Sequence, residues 1–362
     1  MTYPTARAAA GTPATTVDLA CAAGRGRSRR GWVWLPAGAV LVLALLLGAL
    51  IGPAGLTPRG VLLELVGALP GLHVDSGMTA QQQAILWQIR LPRVVLGALV
   101  GATLAVSGAA YQGVFRNPLA DPYLLGVSAG AGLGATIALT TGGGGLSVPL
   151  SAFVGGLLAV GATYALGSSV GGGRSSSVIV LAGVAVAAFF SAIQTTWQQW
   201  FDDSLLAVYT WMLGRLSTNG WSDVVMVLPY VAISWGMLLL HRRTFDVLAV
   251  GDVEASSLGV NVPRVRLLLV LTATLGTTAV VSVSGLIGFV GIIVPHAVRI
   301  VLGGSHRVLL PMAMLFGAAF LVLADVVARS MVAPAELPIG VVTALVGAPF
   351  FLVVLRRNRR LT

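Results

Sequence analysis

RLPRVVLGALVGATLAVSGAAYQGVFRNPLADPYLLGVSAG, residues 90–130, holds two apolar runs rich in Gly, Ala and Ser. Between them lies a polar break, Arg116-Asn117-Pro118-Leu119-Ala120-Asp121-Pro122, and ahead of them Arg90 and Arg93 bracket Leu91-Pro92. Small side chains let helices approach closely in lipid, where packing rather than water exclusion holds them together. A break with two prolines and charged side chains cannot sit in hydrocarbon. The stretch therefore predicts two membrane helices joined by a structured turn.

The rest of the chain has the same character. Of its 362 residues 56% are hydrophobic and 9% charged, and the mean hydropathy is +0.91. Soluble domains carry about 25% charged residues, so the composition predicts an all-α, polytopic membrane protein. The 46 glycines are spread through the apolar runs, as close helix packing requires. A net charge of +10 could suggest nucleic acid, but the arginines fall between apolar runs, and membrane orientation accounts for them without it. Cys21 is the single cysteine, so no disulfide within the chain and no cysteine-based metal site is expected.

A crossing takes about 20 apolar residues. On that measure residues 1–31 are a disordered cytoplasmic tail and 32–362 a transmembrane domain of about ten spans. The spans fall near 32–53, 93–115, 123–141, 147–167, 178–200, 221–240, 267–283, 286–302 (broken at Pro295), 308–328 and 337–355. Residues 54–88 form an outer connection with a surface helix. Residues 202–217 are too short and polar to cross. Residues 241–266 are the longest polar stretch between spans. With the N-terminus inside, all of the 22 basic residues, every one an arginine, lie on the cytoplasmic side except Arg59, Arg90, Arg93, Arg215 and Arg329. Both termini are then cytoplasmic and basic, as the positive-inside rule asks. The exceptions call for a reason.

Few residues suggest chemistry. Gly126-Val127-Ser128-Ala129-Gly130 matches the nucleophile-elbow pattern, but that pattern needs a strand before it and a base beside the serine. Helix packing explains the glycines. Asp325 and Arg329, spaced i, i+4, read as a local ion pair. Within 241–266, residues 249–262 read as a short amphipathic helix with Asp252, Glu254, Ala255 and Leu258, stopped by Gly259. An ordinary solvated loop and a docking helix for a soluble partner both fit that pattern.

Several motifs in order resemble the permeases of type II ABC importers, which carry iron–siderophore complexes, heme or vitamin B12. They are residues 90–130, LAGVAV (181–186), WMLG (211–214), GDVEASSLGVNV (251–262), GLIGFVGIIVPHAVR (285–299), ADVVAR (324–329) and ELPIGVVTALVGAPFF (336–351). The resemblance implies a homodimer in the bacterial cytoplasmic membrane. Two ATP-binding subunits lie below it, and a periplasmic or lipid-anchored substrate-binding protein docks above. It implies no enzyme activity and no cofactor of the chain's own. ATP belongs to the partner, and no G-x-x-x-x-G-K-[ST] loop is present here.

By the same resemblance Arg90, Arg93 and Arg329 would meet glutamates of the binding protein. Asp252, Glu254, Ala255, Leu258 and Gly259 would belong to the coupling helix in a cleft of the ATPase. Asn117 and Leu119 match positions closing the path on the cytoplasmic side, and Ser175 and Ser176 match another constriction there. Phe201 and Asp202 fall at an outer gate that is serine–threonine in the vitamin B12 relative. The cargo stays open among siderophore, heme and cobalamin. A carrier driven by an ion gradient is the rival, and it would need carboxylates or broken helices at mid-membrane.

Overall fold

A computed structural model describes residues 33–72, 74–169, 176–216, 220–333 and 335–358. Among these every regular element is helical. The expected tail, 1–31, lies outside the described residues.

The helices are α1 (Trp34–Leu50), α2 (Pro58–Gly67), α3 (Ala80–Phe115), α4 (Val127–Thr140), α5 (Ser147–Ser169), α6 (Ser176–Gln198) and α7 (Leu205–Met212). They continue with α8 (Trp221–Leu240), α9 (Arg242–Leu248), α10 (Asp252–Ser257), α11 (Val262–Ser284), α12 (Val290–Leu302), α13 (His306–Ser330) and α14 (Ile339–Asn358). Six helices, α3, α5, α6, α8, α11 and α13, are long and apolar enough to cross a membrane, and α1, α4, α12 and α14 are apolar but shorter. The polytopic class follows from these. The count of about ten crossings depends on the four shorter helices.

The quoted stretch forms the centre. Every residue of α3 from Val100 to Phe115 is buried, and α1, α8, α11, α12 and α13 pack around it. Glycine makes this possible. A Cβ on Gly101 would collide with the Gly317 carbonyl of α13, and one on Gly108 with the Gly291 carbonyl of α12. Gly130, from the elbow-like motif, meets the Gly155 carbonyl of α5 in the same way. That pattern is a packing feature, as the sequence suggests.

Element ends differ from expectation in two informative places. α3 begins thirteen residues before the expected span and includes a π-helical turn, Leu86–Arg90. Thr79 starts it with a capping box closed by Gln82. The second difference is at Pro295. The chain does not break there: α12 runs through it, and the break lies earlier, at Gly285–Phe289, where Phe289 adopts φ 69°. A proline removes the hydrogen bond to the carbonyl four residues back, here Gly291, and Gln112 Nε2 of α3 donates to that oxygen at 3.1 Å. A neighbouring helix repairs what proline removes.

The outer connection 54–88 is organised by Glu64 on α2. Its carboxylate accepts from Ser76 Oγ at 2.5 Å, Trp87 Nε1 at 3.1 Å and Gln83 Nε2 at 3.2 Å. These bonds, Ser76 foremost, hold its pKa below the ordinary glutamate value.

Candidate functional site

Two clusters at opposite ends of α3 and α13 gather most of the expected site residues. The first is at the outer end. α1 ends at Leu50, and a helix end leaves its last carbonyls without intrahelical partners. The Leu47 oxygen is taken by the Ile51 N–H at 2.9 Å. Arginines serve the other three: Arg329 Nη2 donates to Gly48 O at 2.6 Å, and Arg90 Nη1 donates to Ala49 O at 3.0 Å and Leu50 O at 3.2 Å. Cations also suit the negative end of the helix dipole.

Arg93 completes the group. Its Nη2 lies 2.8 Å from Asp325 Oδ1 and its Nη1 2.9 Å from Glu336 Oε1. Arg329 Nε lies 3.4 Å from Asp325 Oδ2, the expected i, i+4 pair. Arg90, Arg93 and Arg329 thus lie together, in an internal network with Asp325, Glu336 and the end of α1. Arg90 is 4% and Arg329 3% exposed. Gly52 roofs both guanidiniums, because a Cβ there would stand 2.9 Å from Arg90 Nη2. Arg59 and Arg215, the other outer arginines, are exposed.

The second cluster is the polar segment 241–266. Its helix is shorter than expected: α10 covers Asp252–Ser257, and α9 precedes it. Gly259 stops α10 with φ +83°. Its N–H bonds to Ser256 O at 2.9 Å, and the Val260 N–H reaches Ala255 O at 3.1 Å, the two bonds of a Schellman end. Ala255 is fully buried, whereas Glu254 is exposed, Val253 is 79% exposed and Leu258 67%. Val250 adds to that uncovered apolar patch.

Asp252 ties α10 to the turn after α3. It pairs with Arg116 Nη2 at 2.9 Å and Arg266 Nη2 at 3.0 Å. The next residues of that turn are Asn117 and Leu119, both exposed, with Asn117 Oδ1 accepting from the Leu119 N–H at 2.9 Å. Asp121 ends the turn. Its carboxylate caps the 3₁₀ turn Pro122–Leu125, accepting from the Tyr123 N–H at 2.8 Å, and burial pushes its pKa up to about 6.

The remaining expected residues stand apart. Ser175 lies outside the described residues, and Ser176 opens α6 with its side chain undescribed. Phe201 follows the other end of α6, stacked on Trp197 with centroids 5.5 Å apart, and Asp202 begins a 3₁₀ turn. The length of α6, about 34 Å at 1.5 Å per residue, separates Ser176 from Phe201 and Asp202.

The sequence reading missed Asp246 and His306. Asp246 Oδ1 lies 2.9 Å from His306 Nδ1, and it accepts the His306 backbone N–H at 2.7 Å. Ser305-His306 before an apolar run is a helix-start signal, but nothing in the sequence points to a partner sixty residues earlier.

Comparison with known proteins bears on the family and the overall fold. The FecCD transport family profile fits residues 40–357. The cobalamin import system permease protein BtuC of Halobacterium salinarum is 42% identical, over 92% of this chain and 98% of its own. The hemin transport system permease protein HmuU of Yersinia pestis is 42% identical over 76% of this chain and 84% of its own. A metal-chelate type ABC transporter solved in an inward-facing conformation superposes with a TM-score of 0.79 at 29% identity, covering 90% of this chain and 99% of that one. With the family profile spanning nearly all of the bundle and the helices arranged alike, the chain belongs to the FecCD transport family of multi-pass membrane permeases.

Proposed function

We propose that this chain is the permease subunit of an ATP-driven importer for an iron chelate, heme or cobalamin. It works as a homodimer with two ATP-binding subunits and a substrate-binding protein. The cargo class follows the relatives, which are named for cobalamin, hemin and Fe(3+)-citrate. The observation that carries the coupling is the apolar patch Val250, Val253 and Leu258 beside α10, left uncovered and fastened through Asp252 to Arg116, next to Asn117 and Leu119. An ATPase cleft that grips this patch pulls on the turn holding those two residues. We assign Asn117, Leu119, Ser175 and Ser176 to the inner constriction and Phe201 with Asp202 to the outer gate.

The outer arginine cluster is the docking point for acidic groups of the binding protein, which steer and register the complex. Three guanidiniums face two carboxylates there, so the cluster keeps a net positive charge. Arg93, partly exposed, is the member a partner carboxylate reaches first.

Reconstitution in liposomes with the ATPase and binding protein tests the reading. Uptake of the bound cargo is expected to require internal ATP. Uptake that follows an imposed proton or sodium gradient without ATP would establish the ion-driven rival instead.

A further inference from the structure

The cytoplasmic ends of α3 and α13 meet at a buried imidazole to which none of the roles above gives a part. His306 is 5% exposed and opens α13. Asp246, on α9, holds that helix start: it takes the His306 N–H at 2.7 Å, sits 2.9 Å from Nδ1, and accepts from Ser305 Oγ at 3.1 Å. Phe245 stacks on the ring, centroids 5.2 Å apart and planes tilted 20°. On α3, Gly113 lies so near that a Cβ there would stand 2.7 Å from Nε2. Among the described residues Nε2 has no hydrogen-bond partner, so the ring is held by packing on one side and by Asp246 on the other.

α9 is therefore planted in the bundle. Phe245 and Leu248 are its buried side chains, while α10, four residues on, shows its apolar face to the outside. From the joint at His306, α13 runs to its end at the outer cluster by Arg329, and α3 runs back through the same cluster at Arg93 and Arg90. The two touch midway through Gly101 and Gly317.

We propose that the Asp246–His306 joint is the rigid element that passes displacement of the coupling segment into α13 and α3. Asp246 and His306 are positioning residues acting through these helices. The physical reason is stiffness. A loose connection absorbs a push, but a capped, stacked and buried helix start does not yield, because packed interiors shift between discrete arrangements rather than deform smoothly. The inference rests on the permease reading and adds to it a second attachment, separate from the Asp252–Arg116 tie.

The test uses the full complex in liposomes, with ATPase partner and binding protein. Wild type must first show ATP-dependent uptake, and its failure there would count against the permease reading rather than this joint. Asp246→Ala is expected to lower uptake about fivefold or more. Basal ATPase and copurification of the ATPase subunit should stay near wild type. Asp246→Asn, which keeps an acceptor for the helix start, is expected to recover most of the uptake. In a Cys21→Ser background, Asp246→Cys with Ser305→Cys should transport poorly when reduced and regain uptake once oxidised. Wild-type uptake in Asp246→Ala would overturn the proposal. So would uptake abolished by the crosslink, which would mean the joint must open. Loss of basal ATPase or of assembly in Asp246→Ala would also overturn it, leaving the pair only a structural role.

Discussion

Arg93 and Asp325 stand 232 positions apart in the chain and form a two-point pair: Nε lies 3.0 Å and 3.2 Å from the two carboxylate oxygens, and Nη2 lies 2.8 Å from Oδ1. The pair joins α3 to α13 at the outer end, and the same carboxylate faces Arg329 Nε. One buried acid thus stands between two guanidiniums.

Removing that acid should be costly. Breaking a buried pair leaves an uncompensated charge, worth about 3 kcal/mol. Asp325→Ala is expected to lower the melting temperature of the detergent-solubilised protein clearly, with Asp325→Asn between it and wild type. Equal melting of all three would show that Asp325 carries none of this load.

Glu336 should behave differently, because its side chain is exposed. A pair at the rim contributes at most about 1 kcal/mol. Glu336→Gln is expected to leave melting nearly unchanged while freeing Arg93 Nη1, so that the binding protein is captured more tightly at low salt. Weaker capture would count against docking at this cluster. Reversing charge at Arg90 or Arg329 is a poorer probe, since both are buried under Gly52 and their loss unsettles the end of α1.

The patch beside α10 offers a cleaner separation of folding from coupling. Surface substitutions of this kind usually change stability by no more than about 0.5 kcal/mol. Val253→Asp is expected to keep melting unchanged and to lose copurification with the ATPase subunit. Glu254→Arg should reduce uptake more than expression. Retained copurification in Val253→Asp would remove the patch from the interface.

Asp121 gives a dependence on pH. Its pKa is raised by burial to about 6 from an ordinary value near 3.8. The neutral acid suits the fold, so its contribution is complete below about pH 4 and is lost as pH rises through 6. Asp121→Asn keeps an acceptor for the Tyr123 N–H without the charge. Melting compared from pH 4 to 7.5 should show wild type losing ground to the variant as pH rises. Parallel curves would place a charged, well-solvated carboxylate there.

Close helix approach makes the last prediction. Gly101→Val would drive a side chain into the Gly317 backbone and is expected to abolish folded yield, whereas Gly161→Ala, with open space around it, should be silent. A well-folded Gly101→Val would show that α3 and α13 can part without harm.

By itself the sequence determined the membrane class, the placement of nearly every helix, the turn at 116–122, the Gly259 stop and the family. These rest on hydropathy, proline, glycine and motif order, signals carried by residues near one another in the chain. Even the strangeness of the outer arginines was legible, because charge on that side breaks a rule that needs no coordinates. Only the tertiary structure decided what those arginines hold. That Arg90 and Arg329 serve the end of α1, that Gln112 repairs the carbonyl lost to Pro295, and that Asp246 fastens His306 all depend on helix rotation and depth. A polar side chain in a packed bundle takes whichever partner that geometry presents, and partners so far apart along the chain leave no mark in its local pattern.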